Sequence, residues 1–291
     1  MGFPTEGLTP EIDKAESPLD QLVAAVLSSP KYRSVCADFI KYIGARELSK
    51  RRSLKEAIKA TKNKLHQVGG AYLGSRMEYT AWLQELKAAR TDPMALRAAC
   101  ARIMAHHAST RERLPILDRF YTTALADLAP VHSVLDVACG LNPLAIPWMP
   151  LARDAVYCAC DIYQDMADFL NQFLALISVR GRVSVCDVIQ YNLADTGDLT
   201  QRVQVAFVLK TIPCLEQVDR SASLRLLDAL NAEHMLVSFP RHSLGGHDVG
   251  MTSTYAARFE KLIASRGWPI QRFDFATELA YLVTKTPASD R

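Results

Sequence analysis

The sequence predicts an α/β protein in which an N-terminal helical domain precedes a mostly parallel, doubly wound sheet. Two observations carry this prediction. Apolar residues recur at helical spacing from Leu22 to about His107, and after Pro130 five short β-branched runs alternate with helical stretches. With 291 residues, of which 49% are hydrophobic, the chain is long enough to bury a sizeable core.

The helical half shows apolar residues at intervals of three and four. They are Leu22, Val26, Phe39, Ile40, Ile43, Leu54, Ile58 and Leu65. The segments SSPKY (28–32) and VGGAYLGS (68–75) interrupt the pattern, so we expect two or three helical pieces. We expect a disordered N-terminus over 1–20, a helical domain over 21–105 and an α/β domain over 106–291.

The sheet is predicted from five runs and a terminal pair of strands. The runs are HSVLDVAC (132–139), AVYCACDI (155–162), RVSVCDV (182–188), VQVAFVLK (203–210) and HMLVSFP (234–240). The segment 269–285 holds two further strands with little between them, which predicts a closing hairpin and one antiparallel strand. Such a Rossmann-like, seven-stranded sheet resembles the class I S-adenosylmethionine-dependent methyltransferase fold more than an NAD-binding fold.

Composition excludes several classes of protein. Without an apolar run of about 18 residues or a signal peptide, the sequence indicates a cytoplasmic protein. Its seven cysteines form an odd set with no CxxC pair, which predicts free thiols in a reducing compartment. His106 and His107 would point about 100° apart on a helix and have no evident third ligand, so we expect no metal site.

A basic block lies in the helical half. Between Lys41 and His66 there are nine Lys or Arg against two Glu, a local charge of +7 in a chain whose net charge is +3. Charge runs are commonly solvated helix faces, but a block this basic in an otherwise slightly acidic chain indicates a phosphate-backbone partner.

Three predicted strands end in an aspartate, where parallel sheets bind ligands. The first leads into Asp136–Gly140, whose single glycine suits a ligand without phosphates, because a dinucleotide loop needs three. S-adenosylmethionine is such a ligand, and its positive charges suit Asp136. Asp161 lies 21 residues after Gly140, the spacing of a ribose-binding carboxylate. Asp187 can accept the exocyclic amine of adenine, beside the backbone N–H of Val188. Each aspartate alone is equally a helix cap, but three at successive strand ends favour a cofactor.

The fourth strand ends in LKTIPCLE (209–216), which differs from the Asn/Asp-Pro-Pro-aromatic loop of amino-group methyltransferases. The pair Pro213-Cys214 resembles the loop of cytosine-C5 methyltransferases, although a packed loop cysteine fits equally well. Lys210 on an apolar strand requires a nearby carboxylate, from a cofactor or a side chain.

Five segments together carry a family resemblance. They are HHASTRERL (106–114), VLDVACGLNPLAIP (134–147), CDI (160–162), LKTIPCLE (209–216) and SFPRHSLGGHDVGM (238–251). They resemble the aminoglycoside-resistance 16S rRNA methyltransferases of the Arm/Rmt group, and SSPKYRSVC and KLHQVGGAYLG resemble that family's ribosome-docking domain. The resemblance implies methyl transfer from S-adenosylmethionine to N7 of guanine 1405, in helix 44 of the 30S subunit, by a monomeric enzyme.

The resemblance also implies roles for individual residues. Arg113 would bind the cofactor carboxylate, and the cofactor set would be His107, Arg113, Ala138, Gly140, Asp161, Ile162, Asp187, Val188 and Lys210. The RNA-binding set would be Lys31, Arg33, Lys55, Lys59, Lys62, Lys64, Arg241, His242, His247 and Met251. Guanine N7 carries a lone pair and no proton, so catalysis is expected to be positioning without a general base, with Lys210 the one candidate catalytic side chain.

The loop after the fifth strand departs from the family pattern. Where the family typically has SFPTRSLGGRGKGM, this chain has His242 after Arg241 and then His247, Asp248 and Val249, which removes phosphate-binding charge. Two alternatives therefore stay open. One is methylation of another RNA target, such as a cytosine C5 through Cys214. The other is an RNA-binding protein that keeps a cofactor pocket without useful catalysis.

Overall fold

The computed structural model describes residues 16–73, 77–190, 202–241 and 250–285, with no side-chain detail over 250–254. The helical half contains α1 (Pro18–Leu27), α2 (Ala37–Leu48), α3 (Leu54–Leu65), α4 (Tyr79–Ala89) and α5 (Pro93–Met104). Two short helices, α6 (Ala108–Arg113) and α7 (Leu117–Ala124), lead into the sheet. The predicted domain boundary, between residues 105 and 106, falls between α5 and α6.

Helix α1 begins earlier than the sequence suggested. The Ser17 side chain accepts a hydrogen bond from the backbone N–H of Asp20, and Pro18 occupies the first turn, where its missing N–H has no cost. The expectation of a disordered segment up to residue 20 is therefore wrong for residues 18–20. The rest of that segment, up to residue 15, lies outside the described residues.

The second predicted break is also partly helical. Residues His66–Gly70 form a π-helix that continues α3 directly. The hydrogen bond from Ala71 N to His66 O, 2.7 Å, spans five residues, as a π-helix requires. The predicted periodicity is otherwise confirmed, because Leu22, Val26, Ile40 and Ile43 are buried between the first helices.

The sheet has seven strands, as predicted. They are β1 (Val131–Val137), β2 (Leu151–Asp161), β3 (Arg180–Val185), β4 (Val203–Leu209), β5 (Ala232–Pro240), β6 (Ile270–Asp274) and β7 (Glu278–Thr284). Their spatial order is β3-β2-β1-β4-β5-β7-β6. Strands β1 to β5 pair in parallel, and β7 is antiparallel to both β5 and β6, so the closing hairpin is confirmed.

Helices flank this sheet. They are α8 (Gln164–Leu176), α9 (Ile212–Val218), α10 (Ala222–Ala229) and α11 (Gly250–Ala264). The central strand β4 is buried along Val205–Val208, as expected for a parallel strand with both faces covered. The direction in which the strands are added reverses between β1 and β4, so a ligand crevice is expected at their carboxyl ends.

Backbone hydrogen bonds tie the helical half to those carboxyl ends. Cys36 N donates to Ile162 O at 2.7 Å, and Gln164 N donates to Ser34 O at 2.8 Å. Farther along the chain, Ala108 N donates to Tyr72 O at 2.8 Å. Across the ranges that the structure describes, no helix has the length and apolar character needed to cross a membrane.

Candidate functional site

A cavity of about 750 Å³, counting the part open to solvent, lies beyond the carboxyl ends of β1 to β4. Its lining includes most of the predicted cofactor set, namely His107, Ala138, Asp161, Ile162, Asp187, Val188 and Lys210. Gly140 supports the lining from behind, and Arg113 lies deeper in the protein.

The turn after β1 explains the single glycine of this loop. Gly140 has φ +51°, and a Cβ added there would lie 2.7 Å from Cε1 of His107. The imidazole therefore packs directly on the bare backbone, which only glycine allows. Ala138, also at φ +51°, and Lys210, at φ +58°, hold the same uncommon conformation at the ends of β1 and β4. Strained backbone of this kind clusters at functional sites.

Asp161 links the turn after β1 to the end of β2. Its Oδ2 accepts from Gly140 N at 2.8 Å, and its Oδ1 accepts from Ile162 N at 2.7 Å. Burial raises the pKa of this carboxyl, while the backbone donors act in the opposite direction. Asp161 thus orders the turn after β1. It also lines the cavity, and its carboxylate oxygens can accept further hydrogen bonds.

Asp187 occupies the equivalent position after β3. Its Oδ1 accepts from Ile189 N at 2.9 Å, and its Oδ2 accepts from Gln190 Nε2 at 3.0 Å. Burial raises the pKa of this carboxyl as well. Asp187 and the apolar side chain of Val188 lie next to each other in the cavity wall.

Asp136, the acidic residue of β1, does not line the cavity. It is buried behind the turn, where it accepts from Tyr157 Oη at 2.6 Å and from Asn142 Nδ2 at 2.9 Å. Burial raises the pKa of Asp136 to about 6, although both donors and Arg113 favour the ionised form. Its role in the structure is to hold the segment after the turn.

Arg113 forms a buried ion pair with Glu278 of β7, a residue that the sequence analysis missed. Arg113 Nη2 donates to Glu278 Oε1 at 2.6 Å, and Nε donates to Oε2 at 3.1 Å. Arg113 Nη1 also donates to Asn142 Oδ1 at 2.7 Å. Both members of the pair are fully buried, and the carboxylate bound here is the protein's own. Contact between Arg113 and a cofactor carboxylate stays a prediction.

Lys210 has the carboxylate partners that its burial required. Its Nζ lies 2.9 Å from Glu112 Oε2 and 3.4 Å from Glu278 Oε2, and it donates to Ser109 O at 3.0 Å. The prediction of a nearby carboxylate is confirmed, and both carboxylates come from side chains. These contacts fasten α6 to the end of β4.

His107 presents an unpaired polar atom at the cavity. Its Nδ1 is buried and has no hydrogen-bond partner among the described residues, while its ring stacks on Tyr72 with 6.0 Å between centroids. Burial, together with the charges of Lys210 and Arg113, lowers the pKa of His107 to about 4. The imidazole is therefore neutral at physiological pH.

Cys214 also lines the cavity, but in a form that disfavours covalent chemistry. Its Sγ lies 3.1 Å from Tyr72 Oη, within hydrogen-bonding distance. Burial raises the pKa of the Cys214 thiol, so the nucleophilic thiolate is scarce at neutral pH.

Several wall residues were not found from the sequence. Phe39, Val68, Gly69 and Tyr72 reach the cavity from the helical half, and Tyr163 follows β2. The glycine pair in VGGAYLG was the available signal, since glycines often mark a close backbone approach.

The predicted RNA-binding residues fall into four groups. Lys31, Arg33, Lys55 and Lys59 are exposed. Lys62 and Lys64 of α3 are half-buried. Lys62 donates to Ser29 Oγ at 2.5 Å and Lys64 donates to Gln217 O at 3.3 Å, so both also anchor α3. Arg241 Nη2 lies 2.5 Å from Asp274 Oδ1. His242 and His247 lie outside the described residues, as does the side chain of Met251.

The strand order, the one-glycine turn and the acidic residues at successive strand ends define a class I S-adenosylmethionine-dependent methyltransferase fold. Residues 28–282 match the family model described as ribosomal RNA methyltransferase (FmrO). The chain belongs to this family, and the family membership predicted from its motifs is confirmed.

Curated relatives agree over nearly the whole chain. The 16S rRNA (guanine(1405)-N(7))-methyltransferase of Frankia casuarinae is 38% identical over 278 residues, covering 94% of this chain and 96% of the relative. The enzyme of the same name from Micromonospora echinospora is 36% identical over 274 residues, covering 93% and 98%.

Solved structures extend the agreement to three dimensions. The 16S rRNA methyltransferase RmtF, in complex with S-adenosyl-L-homocysteine, has a TM-score of 0.76 at 29% identity and covers 95% of this chain and 100% of its own. The 16S rRNA methylase RmtB has a TM-score of 0.73 at 29% identity, covering 92% and 98%.

Proposed function

We propose that this protein transfers the methyl group of S-adenosylmethionine to N7 of guanine 1405 in 16S rRNA and thereby confers aminoglycoside resistance. One observation carries the proposal. In a chain of the ribosomal RNA methyltransferase family, a cavity at the sheet's switch point is bordered by Asp161 and Asp187 and by a one-glycine turn.

The cavity suits this cofactor. Asp161 would accept from the ribose hydroxyls, Asp187 and Val188 would bind the adenine, and Ala138 and Gly140 would support the methionine part. The unpaired Nδ1 of His107 is a buried polar atom that a ligand can satisfy. When bound, S-adenosylmethionine supplies an electrophilic methyl group. Arg113 would reach the cofactor carboxylate only by sharing its guanidinium with Glu278.

The side chains of the cavity fit a reaction that requires positioning alone. Guanine N7 has no proton to lose, so the enzyme needs no base. His107 is neutral, the Cys214 thiol is held protonated by burial, and Lys210 is paired with Glu112 and Glu278. We assign Lys210 a positioning role, fixing α6 and the end of β4 beside the reacting atoms.

The exposed basic residues Lys31, Arg33, Lys55 and Lys59 are proposed to bind phosphates of helix 44 in the 30S subunit. The enzyme would act as a monomer in the cytoplasm and without a metal ion. The protonated thiol of Cys214 disfavours the alternative of cytosine C5 methylation. The relatives, which are named as methyltransferases, disfavour a binding protein without catalysis.

The deciding experiment is transfer of a labelled methyl group to purified 30S subunits, followed by mapping of the modified nucleotide. We expect N7-methylguanine at position 1405. Label in another nucleotide, or none in 30S, would overturn the proposal.

Cofactor binding is tested by calorimetry with S-adenosyl-L-homocysteine. Asp161→Ala should lower affinity ten- to a hundredfold, which corresponds to about 1.5 to 3 kcal/mol for a lost charge-assisted hydrogen bond. Asp165→Ala, an exposed aspartate in the first turn of α8, is the matched control and should bind normally. Unchanged affinity in Asp161→Ala would remove Asp161 from the site.

A further inference from the structure

The helical half forms one wall of the cofactor cavity. Val68 and Gly69 of the π-helix line it, together with Tyr72 just beyond. The π-helix is continuous with α3, the helix that carries Lys55 and Lys59. One uninterrupted helical segment thus joins the basic surface to the cavity.

On the cavity side the segment is closely packed. A Cβ added to Gly69 would lie 2.8 Å from Tyr163 Oη and 3.1 Å from Ile162 Cδ1, beside the Asp161 strand end. Tyr72 contacts both sides of the cavity, because its ring stacks on His107 and its hydroxyl lies 3.1 Å from Cys214 Sγ. A shift of this segment would therefore change the shape of the cavity.

On the outer side the same segment touches the basic surface. Lys31 Nζ lies 3.0 Å from His66 Nδ1, at the start of the π-helix. The Lys31 side chain also covers Gly70, where an added Cβ would lie 3.3 Å from Lys31 Cε. Tyr32 Oη donates to Lys62 O at 3.0 Å, which fastens the Lys31 segment to the last turn of α3.

We propose that the π-helix His66–Gly70 couples the two sites, so that binding of rRNA phosphates at Lys31 and α3 and binding of cofactor in the cavity strengthen each other. This proposal rests on the proposed function. A π-helix has one more residue per hydrogen-bonded ring than the α-helix that it continues here, and π-turns are frequent at functional sites. Contacts on both sides of the π-helix therefore act on the position of the same segment. If rRNA binding tightens cofactor binding, cofactor binding must tighten rRNA binding by the same factor.

The test compares the dissociation constant of S-adenosyl-L-homocysteine for the free protein with that for the protein bound to 30S subunits. We expect at least about fivefold tighter binding on the 30S subunit, the lower end of typical coupling. His66→Ala removes the Lys31 contact outside the cavity. It should leave cofactor affinity of the free protein within twofold of wild type and reduce the coupling factor towards one.

Lys59→Ala is the matched control, since Lys59 is exposed on the same helix and has no contact with the π-helix among those described. It should weaken 30S binding and keep the coupling factor. A second variant, Gly69→Ala, should lower cofactor affinity of the free protein at least fivefold, because its methyl group enters the space of Tyr163.

The outcomes separate the two proposals. If the protein does not bind 30S subunits, the proposed function fails and the coupling fails with it. If it binds 30S but cofactor affinity is the same in both states, only the coupling is overturned. Full coupling in His66→Ala would show that the cofactor senses RNA through direct contact and would overturn the role of the π-helix.

Discussion

Replacement of Glu278 by Gln should strongly destabilise the fold. Glu278 is fully buried and accepts two hydrogen bonds from Arg113. It also accepts one from Ser238 Oγ at 2.5 Å, and Lys210 Nζ lies 3.4 Å from its Oε2. Glutamine keeps the size of the side chain but removes its charge. Arg113 then loses its buried anionic partner, and Lys210 keeps only Glu112, which is partly exposed.

The size of the effect follows from this burial. Removing one partner of a buried ion pair costs about 3 to 5 kcal/mol, because the other charge stays buried without compensation. Since domains are stable by about 5 to 15 kcal/mol, Glu278→Gln should lose a large part of the free energy of unfolding.

The same charge predicts a dependence on pH. Burial raises the pKa of Glu278, but Arg113 and Lys210 outweigh it, so the pKa lies below its ordinary value of 4.5. The stabilisation is therefore present above about pH 4.5 and is lost as pH falls through the lower folded-state pKa. The difference between wild type and variant should shrink under those acidic conditions.

Urea unfolding followed by circular dichroism, at neutral and at acidic pH, measures both effects. Glu85→Gln is the control, because Glu85 pairs with Arg102 at the surface and should contribute less than about 1 kcal/mol. A loss below about 1 kcal/mol in Glu278→Gln, or a loss that does not change with pH, would refute this account of the pair.

Three further predictions concern other groups. Asp136→Asn should gain about 2 to 3 kcal/mol of stability relative to wild type as pH rises from 4 to 7, because native Asp136 has a pKa of about 6 and its ionisation destabilises the folded protein. A difference in the free energy of unfolding between variant and wild type that stays constant over this pH range would contradict it. Cys214→Ser should keep methyl transfer to 30S within a few-fold of wild type, whereas complete loss of transfer with intact cofactor binding would revive covalent chemistry. The pair Lys55→Glu and Lys59→Glu should weaken 30S binding and flatten its salt dependence, with Lys87→Glu on α4 as the exposed control; unchanged binding would exclude α3 as the docking surface.

The sheet and its acidic strand ends were predictable because both are local properties. A buried parallel strand must be apolar along its length, so runs such as VQVAFVL identify β4 without any knowledge of its neighbours. A residue that ends such a strand lies at the ligand edge of the sheet, which located Asp161 and Asp187.

The parts that were missed depend on contacts between distant segments. Arg113 and Glu278 are 165 positions apart, and nothing near either residue indicates that each neutralises the other. The glycines at 69 and 70 predicted a break because glycine weakens an α-helix, whereas packing against Tyr163 and Lys31 keeps them helical. Likewise, composition could not distinguish the half-buried Lys62 from the exposed Lys59.

The shared wall of the cavity limits how the chain can be divided or recombined. A fragment beginning near residue 106 would keep every strand of the sheet but would lack Phe39, Gly69 and Tyr72, leaving the cavity open on one side. A chimaera that takes its N-terminal helices from a relative must therefore also match residues 66–73 to the recipient's His107 and Tyr163. The helical half and the cofactor cavity therefore cannot be exchanged as separate modules.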